Sequence, residues 1–145
     1  MLGTLIVLIS IMGNVFPHVQ EILTPRARAN GVSITFDDGP HPTHTDEVLD
    51  ILKAKKVHAT FFIIGLHIPR DRKVIMREVR EGHSVGGHSY THQNFSKISL
   101  EEMAKEVLFT HIRIMSLTGK YPTFFRFPYG VDDVRIRHFY SGKVI

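Results

Sequence analysis

The sequence contains no cysteine among its 145 residues. This absence excludes a disulfide framework, a thiolate nucleophile and a thiolate metal site. Tryptophan is also absent, and the apolar run at residues 2–12 is too short to span a bilayer. The lysines and arginines are scattered rather than gathered in a basic stripe, so the net charge of +4 does not indicate nucleic-acid binding. The ten histidines, by contrast, favour metal binding or proton transfer.

The N-terminal apolar run has the length of a signal-peptide core, although no Lys or Arg precedes it. A buried strand or helix of the fold is the alternative interpretation. We interpret residues 1–16 as a signal peptide or apolar anchor and residues 17–30 as a linker. The remaining residues, 31–145, are long enough for one domain with its own core.

From Gly31 onward, short apolar strands alternate with amphipathic helices. Ser99 and Glu102 form a capping-box pattern at the start of the longest helix, while Gly82 and Gly119 are suited to helix C-termini. The pattern predicts strands at residues 32–36, 58–65, 83–87 and 123–127, and helices at 43–57, 70–82 and 99–119. The tail from residue 131 shows no clear period. This α/β alternation predicts a parallel sheet with right-handed crossovers, either open or rolled into a barrel.

Polar residues follow three of these strands. Asp37 and Asp38 follow the first strand, His88 and His92 follow the third, and Arg126 follows the fourth. Because ligands gather at the carboxyl ends of strands in parallel α/β folds, the three clusters are expected to share one rim.

The two histidines are four residues apart, a spacing that on a helical turn places both imidazoles on one face. Alone, such a pair is more often chance than a metal site. A carboxylate from a neighbouring strand would complete two nitrogen ligands and one oxygen ligand, with a position left open as in catalytic zinc sites. Adjacent strand residues point to opposite sides, so one aspartate can bind the cation while the other acts as a general base.

Each cluster also has a simpler interpretation. Asp-Asp-Gly-Pro is good turn composition, and Arg126 could be a surface residue. A buried arginine needs a carboxylate partner, however, and the rim offers the aspartate that does not bind metal. The coincidence of all three clusters favours the site.

The segments "TFDDGP", "HSYTH" and "RFPYG" resemble, in this order, the motifs of the polysaccharide deacetylase family, also called the NodB-homology or carbohydrate esterase family 4 group. The similarity runs from about Gly31 to about Gly130 and includes "HATFFIIG" and "EGHSVGGHS". The resemblance implies a distorted (β/α) barrel. It also implies metal-dependent hydrolysis of N-acetyl groups on a polysaccharide such as chitin or peptidoglycan, in a secreted or cell-wall-associated protein.

The resemblance also implies roles for individual residues. Asp37 matches the catalytic base, Arg126 the arginine that orients it, and Tyr129 the residue whose backbone N–H helps hold the oxyanion. The residues that match the metal ligands are Asp38, His88 and His92. The implied metal is zinc or another divalent transition metal such as cobalt.

Two further motifs follow the arginine segment in the family, an aspartate-and-tryptophan segment and a leucine-any-histidine segment whose histidine protonates the leaving amine. Neither is found in this sequence. We therefore expect a partial (β/α) barrel without its later strands and an incomplete domain over residues 31–145. The alternative function is a truncated, inactive relative that binds only carbohydrate or metal. The oligomeric state does not follow from the sequence.

Overall fold

Strands and helices alternate along the folded chain. A computed structural model describes residues 31–131 and the pair 143–144. The proposed signal peptide or anchor at residues 1–16 and the linker at 17–30 lie outside these residues. The strands are β1 (Thr35–Gly39), β2 (Thr60–Ile63), β3 (Ser84–Gly87), β4 (Phe124–Phe125) and β5 (Lys143–Val144), and the helices are α1 (His44–Lys55), α2 (Arg72–Arg80) and α3 (Leu100–Thr118).

The described strands form one parallel sheet in the order β1-β2-β3-β4-β5. Thr60 of β2 pairs with Thr35 on one side and Ser84 on the other, and Gly87 of β3 pairs with Phe125 of β4. A helix follows each of the first three strands, which places the carboxyl ends of these strands at one edge of the sheet. The sheet therefore confirms the predicted parallel α/β arrangement.

The helix ends agree with the capping signals in the sequence. Ser99 accepts a hydrogen bond from the Glu102 backbone N–H while the Glu102 carboxylate accepts one from the Ser99 N–H, which completes the predicted capping box of α3. Gly82 and Gly119 follow α2 and α3 with φ of 84° and 73°, a left-handed conformation that favours glycine. None of the described helices is long and apolar enough to cross a membrane.

Each of the four predicted strands differs from its observed bounds, by at most two residues at either end for the second, third and fourth strands and by three at each end for the first. The first was expected at residues 32–36, but β1 begins at Thr35 and continues through both aspartates to Gly39, while Val32 is fully in solvent. The strand continues past the aspartates because its pairing with β2 resumes at Gly39, which lies opposite Ile63 and accepts a hydrogen bond from the Ile64 N–H. The fourth was expected at residues 123–127, but β4 contains only Phe124 and Phe125. The Arg126 N–H still donates to the Gly87 carbonyl of β3 at 3.0 Å, and the turn Pro128–Gly130 follows.

The sheet packs against helices through alternate residues of its strands. Phe61 and Ile63 of β2 contribute to one buried cluster with Leu49 of α1 and Ile75 of α2. Phe62, between them, points to the opposite face and is fully buried there. A second buried cluster joins α3 to β4 and contains Phe95, Met103, Ala104, Val107, Phe125 and Phe127. One buried cluster therefore packs against β2, and the other packs between α3 and β4. Both hold the strands whose carboxyl ends form the rim.

Candidate metal centre and its surroundings

The two adjacent aspartates of β1 point to different partners. Asp37 Oδ1 lies 2.8 Å from Arg126 Nη1, whereas Asp38 Oδ1 lies 3.3 Å from His88 Nε2 and 3.0 Å from His92 Nε2. The pairing of β1 with β2 shifts register between Phe36 and Gly39, and Asp38 has a φ of 66°. The register shift and the left-handed Asp38 add to the normal alternation of side chains along a strand. Together they direct the two carboxylates to different partners.

The two histidines lie on a loop and not on a helical turn, so the helical geometry that places residues four apart on one face does not apply to them. His88 directly follows β3, and residues 88–92 form an irregular loop in which Ser89 and His92 have φ of 63° and 62°. These left-handed residues turn the chain back on itself, and the His92 N–H donates to Ser89 Oγ at 2.9 Å. The loop therefore brings the two rings together by a different backbone path, with centroids 5.1 Å apart.

Asp38, His88 and His92 offer one carboxylate oxygen and two imidazole nitrogens that all lie within 4.8 Å of one another. His88 Nδ1 lies 2.8 Å from the Arg126 carbonyl oxygen, and burial lowers the pKa of the His88 imidazole. A neutral His88 that donates from Nδ1 presents the lone pair of Nε2 to a carboxylate oxygen. The Nε2 lone pair of His88 and an oxygen lone pair of Asp38 therefore face each other and repel. A cation between them attracts both, so the arrangement becomes favourable when a cation is bound. The donor set therefore fits a divalent transition metal.

Arg126 is held on three sides. Its Nη1 donates to Asp37 Oδ1 at 2.8 Å and to Thr35 Oγ1 at 2.9 Å, and its guanidinium carbon lies 4.2 Å from the centre of the Phe62 ring. A charge-assisted hydrogen bond and a cation–π contact both favour one side-chain position. Arg126 is thus a fixed partner of Asp37 and not the free surface residue of the simpler interpretation.

Tyr129 completes the rim. It lies in the turn Pro128–Gly130 with a φ of 59°, and its ring centroid is 4.8 Å from that of His92. The side chain is 66% exposed, so the ring forms part of the outer wall of the site. Among the described residues, five non-glycine residues have positive φ, and four of them belong to this rim: Asp38, Ser89, His92 and Tyr129.

Several residues that support the site were not identified from the sequence. Thr35 and Phe62 hold Arg126, and Ser89 closes the turn before His92. The buried Glu106 of α3 accepts hydrogen bonds from the loop between the histidines. A carboxylate on the apolar side of a helix was the available signal for Glu106, whereas Thr35, Phe62 and Ser89 are ordinary residues in their segments.

The glycines before His88 have a packing role. A Cβ at Gly86 would lie 2.8 Å from two carbons of the Phe62 ring, and one at Gly87 would lie 2.9 Å from Nε2 of His111. Burial lowers the pKa of His111 to about 3, so this imidazole is a neutral core group. A side chain at either glycine would therefore collide with the groups that pack on the two faces of β3.

The chain belongs to the polysaccharide deacetylase family, whose sequence model matches residues 25–141. It is 41% identical over 113 residues to the peptidoglycan-N-acetylglucosamine deacetylase PgdA of Listeria monocytogenes, a match that covers 77% of this chain and 24% of the relative. It is 42% identical over 101 residues to a chitooligosaccharide deacetylase of a Bradyrhizobium strain, covering 69% of this chain and 46% of the relative.

The fold is also similar to solved structures. The peptidoglycan deacetylase PdaC of Bacillus subtilis superposes with a TM-score of 0.76 at 36% identity, over 78% of this chain and 56% of the solved chain. This similarity confirms the expected fold class, an α/β partial barrel of the NodB-homology type. The chain spans about a quarter of the length of the PgdA and PdaC sequences that it matches. The roles of the six predicted site residues remain predictions.

Proposed function

We propose that this chain takes part in metal-dependent hydrolysis of N-acetyl groups on a polysaccharide of the peptidoglycan or chitin type. The observation that carries the proposal is the placement of the Asp38, His88 and His92 donors within 4.8 Å of one another, beside the Asp37–Arg126 pair. Relatives named as deacetylases of peptidoglycan and of chitooligosaccharides support the substrate class.

Asp38, His88 and His92 would hold the metal, and two imidazoles with one carboxylate suit zinc or cobalt. Lewis-acid polarisation of the acetyl carbonyl and acidification of water are the chemistry that such an ion supplies when bound. His88 is oriented for this role because its Nδ1 is engaged by the Arg126 carbonyl oxygen, which leaves Nε2 facing Asp38. One residue, Arg126, thereby connects the ligand set to the base.

Asp37 is the proposed general base. It does not share the histidine contacts of Asp38, and the Arg126 guanidinium holds it at Oδ1. A carboxylate in this position accepts the proton that the attacking water loses. The backbone N–H of Tyr129, beside His92 on the rim, is proposed to stabilise the negative charge that develops on the acetyl oxygen.

The proposed substrate class also suggests where the protein acts. Peptidoglycan and chitin are cell-wall polymers, and the relatives with these substrates support a secreted or cell-wall location. The apolar segment at residues 2–12 is consistent with this proposal as a signal peptide or anchor.

Acetate release tests the proposal directly. The zinc-loaded chain is incubated with N-acetylglucosamine oligomers and with peptidoglycan fragments, and acetate is measured against metal-free protein. We expect Asp37→Asn to keep its zinc and lose turnover, and Asp38→Ala and His92→Ala to lose zinc. Zinc binding and sugar binding without acetate release would refute the activity and favour the alternative, a relative that only binds. Turnover retained in Asp37→Asn would exclude Asp37 as the base.

A further inference from the structure

The loop between the two metal-binding histidines is held through its backbone on two sides. On the first side, the Gly65 N–H donates to the Ser89 carbonyl at 3.0 Å, and the Leu66 N–H donates to the Tyr90 carbonyl at 2.9 Å. These bonds connect the loop to the turn that follows β2. They engage the carbonyl groups of the loop and leave its N–H groups to be satisfied from the other side.

On the second side, one carboxylate binds these N–H groups. Glu106 Oε2 accepts from the Tyr90 N–H at 2.8 Å and from the Thr91 N–H at 2.7 Å, and Oε1 accepts from the Thr91 hydroxyl at 2.7 Å. Glu106 is only 7% exposed. A buried carboxylate is unfavourable without donors, and short charge-assisted hydrogen bonds are among the stronger polar contacts in proteins.

The position of Glu106 on α3 makes it a firm support. α3 is capped at its start and anchored by Met103 and Val107, which are fully buried in the cluster with Phe125. Thr110 donates its hydroxyl to the Glu106 carbonyl at 2.8 Å, inside the same helix. The carboxylate thus extends from a rigid helix to a loop that contains two left-handed residues, Ser89 and His92. Such residues persist only where surrounding contacts fix them.

We propose that Glu106 is a positioning residue for the metal centre. Its carboxylate fixes the Tyr90 and Thr91 peptides so that His92 Nε2 faces Asp38 before the metal arrives. This inference rests on the proposed function, because it assumes that His88, His92 and Asp38 bind a metal. It adds a residue that contacts neither the metal nor the substrate and acts only through the loop.

The chemistry decides which replacement is informative. Three donors converge on the two oxygens of the carboxylate. A glutamine would still accept both backbone N–H bonds at one oxygen and donate its NH₂ to the Thr91 hydroxyl, because a hydroxyl both donates and accepts. Methionine has a similar length but no side-chain oxygen, so it leaves the Tyr90 and Thr91 N–H groups without this acceptor. Glu106→Met therefore removes the hydrogen bonds while it keeps nearly the same volume.

The test compares zinc affinity in Glu106→Met with that in Ile114→Ala. Ile114 lies on the same helix but packs into the cluster that contains Leu49 and Ile75, so Ile114→Ala lowers stability without touching the loop. Zinc Kd is measured by competition with a chromophoric chelator, alongside the thermal midpoint of each metal-free protein. We expect Kd to rise roughly 10- to 100-fold in Glu106→Met and to stay within about twofold of wild type in Ile114→Ala.

A spectroscopic signature gives a second readout. The visible spectrum of the cobalt-loaded protein reports the ligand arrangement, and we expect it to change in Glu106→Met and not in Ile114→Ala. Equal zinc affinity and an unchanged cobalt spectrum in Glu106→Met would overturn the proposal. So would equal losses of affinity in the two variants at equal losses of stability, since Glu106 would then act only through the stability of the fold.

A failure of the proposed function would give a different result. If wild-type protein binds no zinc, the metal centre itself is refuted, and Glu106 is then judged in the metal-free protein by hydrogen exchange. We expect the Tyr90 and Thr91 amides to exchange at least about tenfold faster in Glu106→Met, while the Val107 amide of α3 changes less. Unchanged exchange at Tyr90 and Thr91 would overturn the positioning role independently of any metal.

Discussion

Glu78 lies on the buried face of α2 and is fully removed from solvent. Among the described residues, neither of its carboxyl oxygens has a hydrogen-bond partner. Arg77, the adjacent cation, does not neutralise it, because its guanidinium is engaged by Asp46, Asp50 and Glu81. Burial, assisted by the negative charge of Asp46, raises the pKa of Glu78 from 4.5 to about 8. The native protein therefore holds Glu78 neutral at pH 7.

The raised pKa makes stability depend on pH in a defined direction. Between pH 4.5 and about 8, the unfolded chain has released the Glu78 proton while the native protein still holds it. The native state binds more protons in this window, so the free energy of unfolding falls as pH rises and levels off above pH 8. With about 1.36 kcal/mol per pKa unit, the contribution lost across the window is on the order of 5 kcal/mol.

Glu78→Gln removes this titration and preserves the side-chain shape. We expect the variant to become more stable relative to wild type as pH rises, with the difference in unfolding free energy changing by roughly 3–4 kcal/mol between pH 5 and pH 8. Urea unfolding at pH 5, 6, 7 and 8 measures this difference, provided that the m-value stays constant. Glu47→Gln, which replaces an exposed carboxylate on α1, is the matched control and should follow the wild-type pH dependence.

Parallel pH profiles for wild type and Glu78→Gln would refute the reasoning, because a neutral buried carboxyl group requires the two curves to diverge. A variant that loses stability at every pH would show instead that the carboxyl group makes a specific favourable contact.

Three further outcomes are expected. Ser99→Ala breaks the capping box of α3 and should lower stability by roughly 0.5–2 kcal/mol in thermal or urea unfolding; an unchanged midpoint would contradict this. Gly65→Ala places a Cβ 2.5 Å from the Tyr90 ring, so it should displace the histidine loop and weaken zinc binding at least about tenfold in the chelator assay. Arg126→Met removes the cation beside Asp37 and should lower the acetate release rate by roughly 10²-fold or more, with zinc affinity near that of wild type. An equal loss of zinc in Arg126→Met would show that the side chain supports the ligands and not the base.

The helices and the general order of the sheet could be predicted from the sequence because their signals are local. Capping residues, C-terminal glycines and apolar periodicity place α2 and α3 within two residues of their observed ends. The shared rim also followed from chain order, since parallel strands joined by helices must expose their carboxyl ends at one edge. His92 and Arg126 were therefore assigned to one site before any distance was known.

The remaining features depend on contacts between distant segments. Asp37 and Asp38 lie within β1 instead of ending it because the pairing of β1 with β2 resumes at Gly39. The backbone path of the loop from His88 to His92 was not predicted, because residue spacing alone does not reveal a left-handed backbone. The contact of Glu106 with the loop was not predicted because two of its three donors are backbone N–H groups. A sequence does not show which backbone N–H groups need a side-chain partner.

The four left-handed residues of the rim have a consequence for protein engineering. A non-glycine residue in this conformation costs roughly 1–2 kcal/mol, so glycine at Asp38, Ser89, His92 or Tyr129 would relieve strain. Selection for heat resistance alone would favour those replacements and remove the side chains that line the rim. A directed-evolution library screened only for survival on heating would thus accumulate folded proteins that lack rim side chains, among them Asp38 and His92 of the proposed metal site. A zinc-binding screen run in parallel would identify the variants that have lost this proposed site.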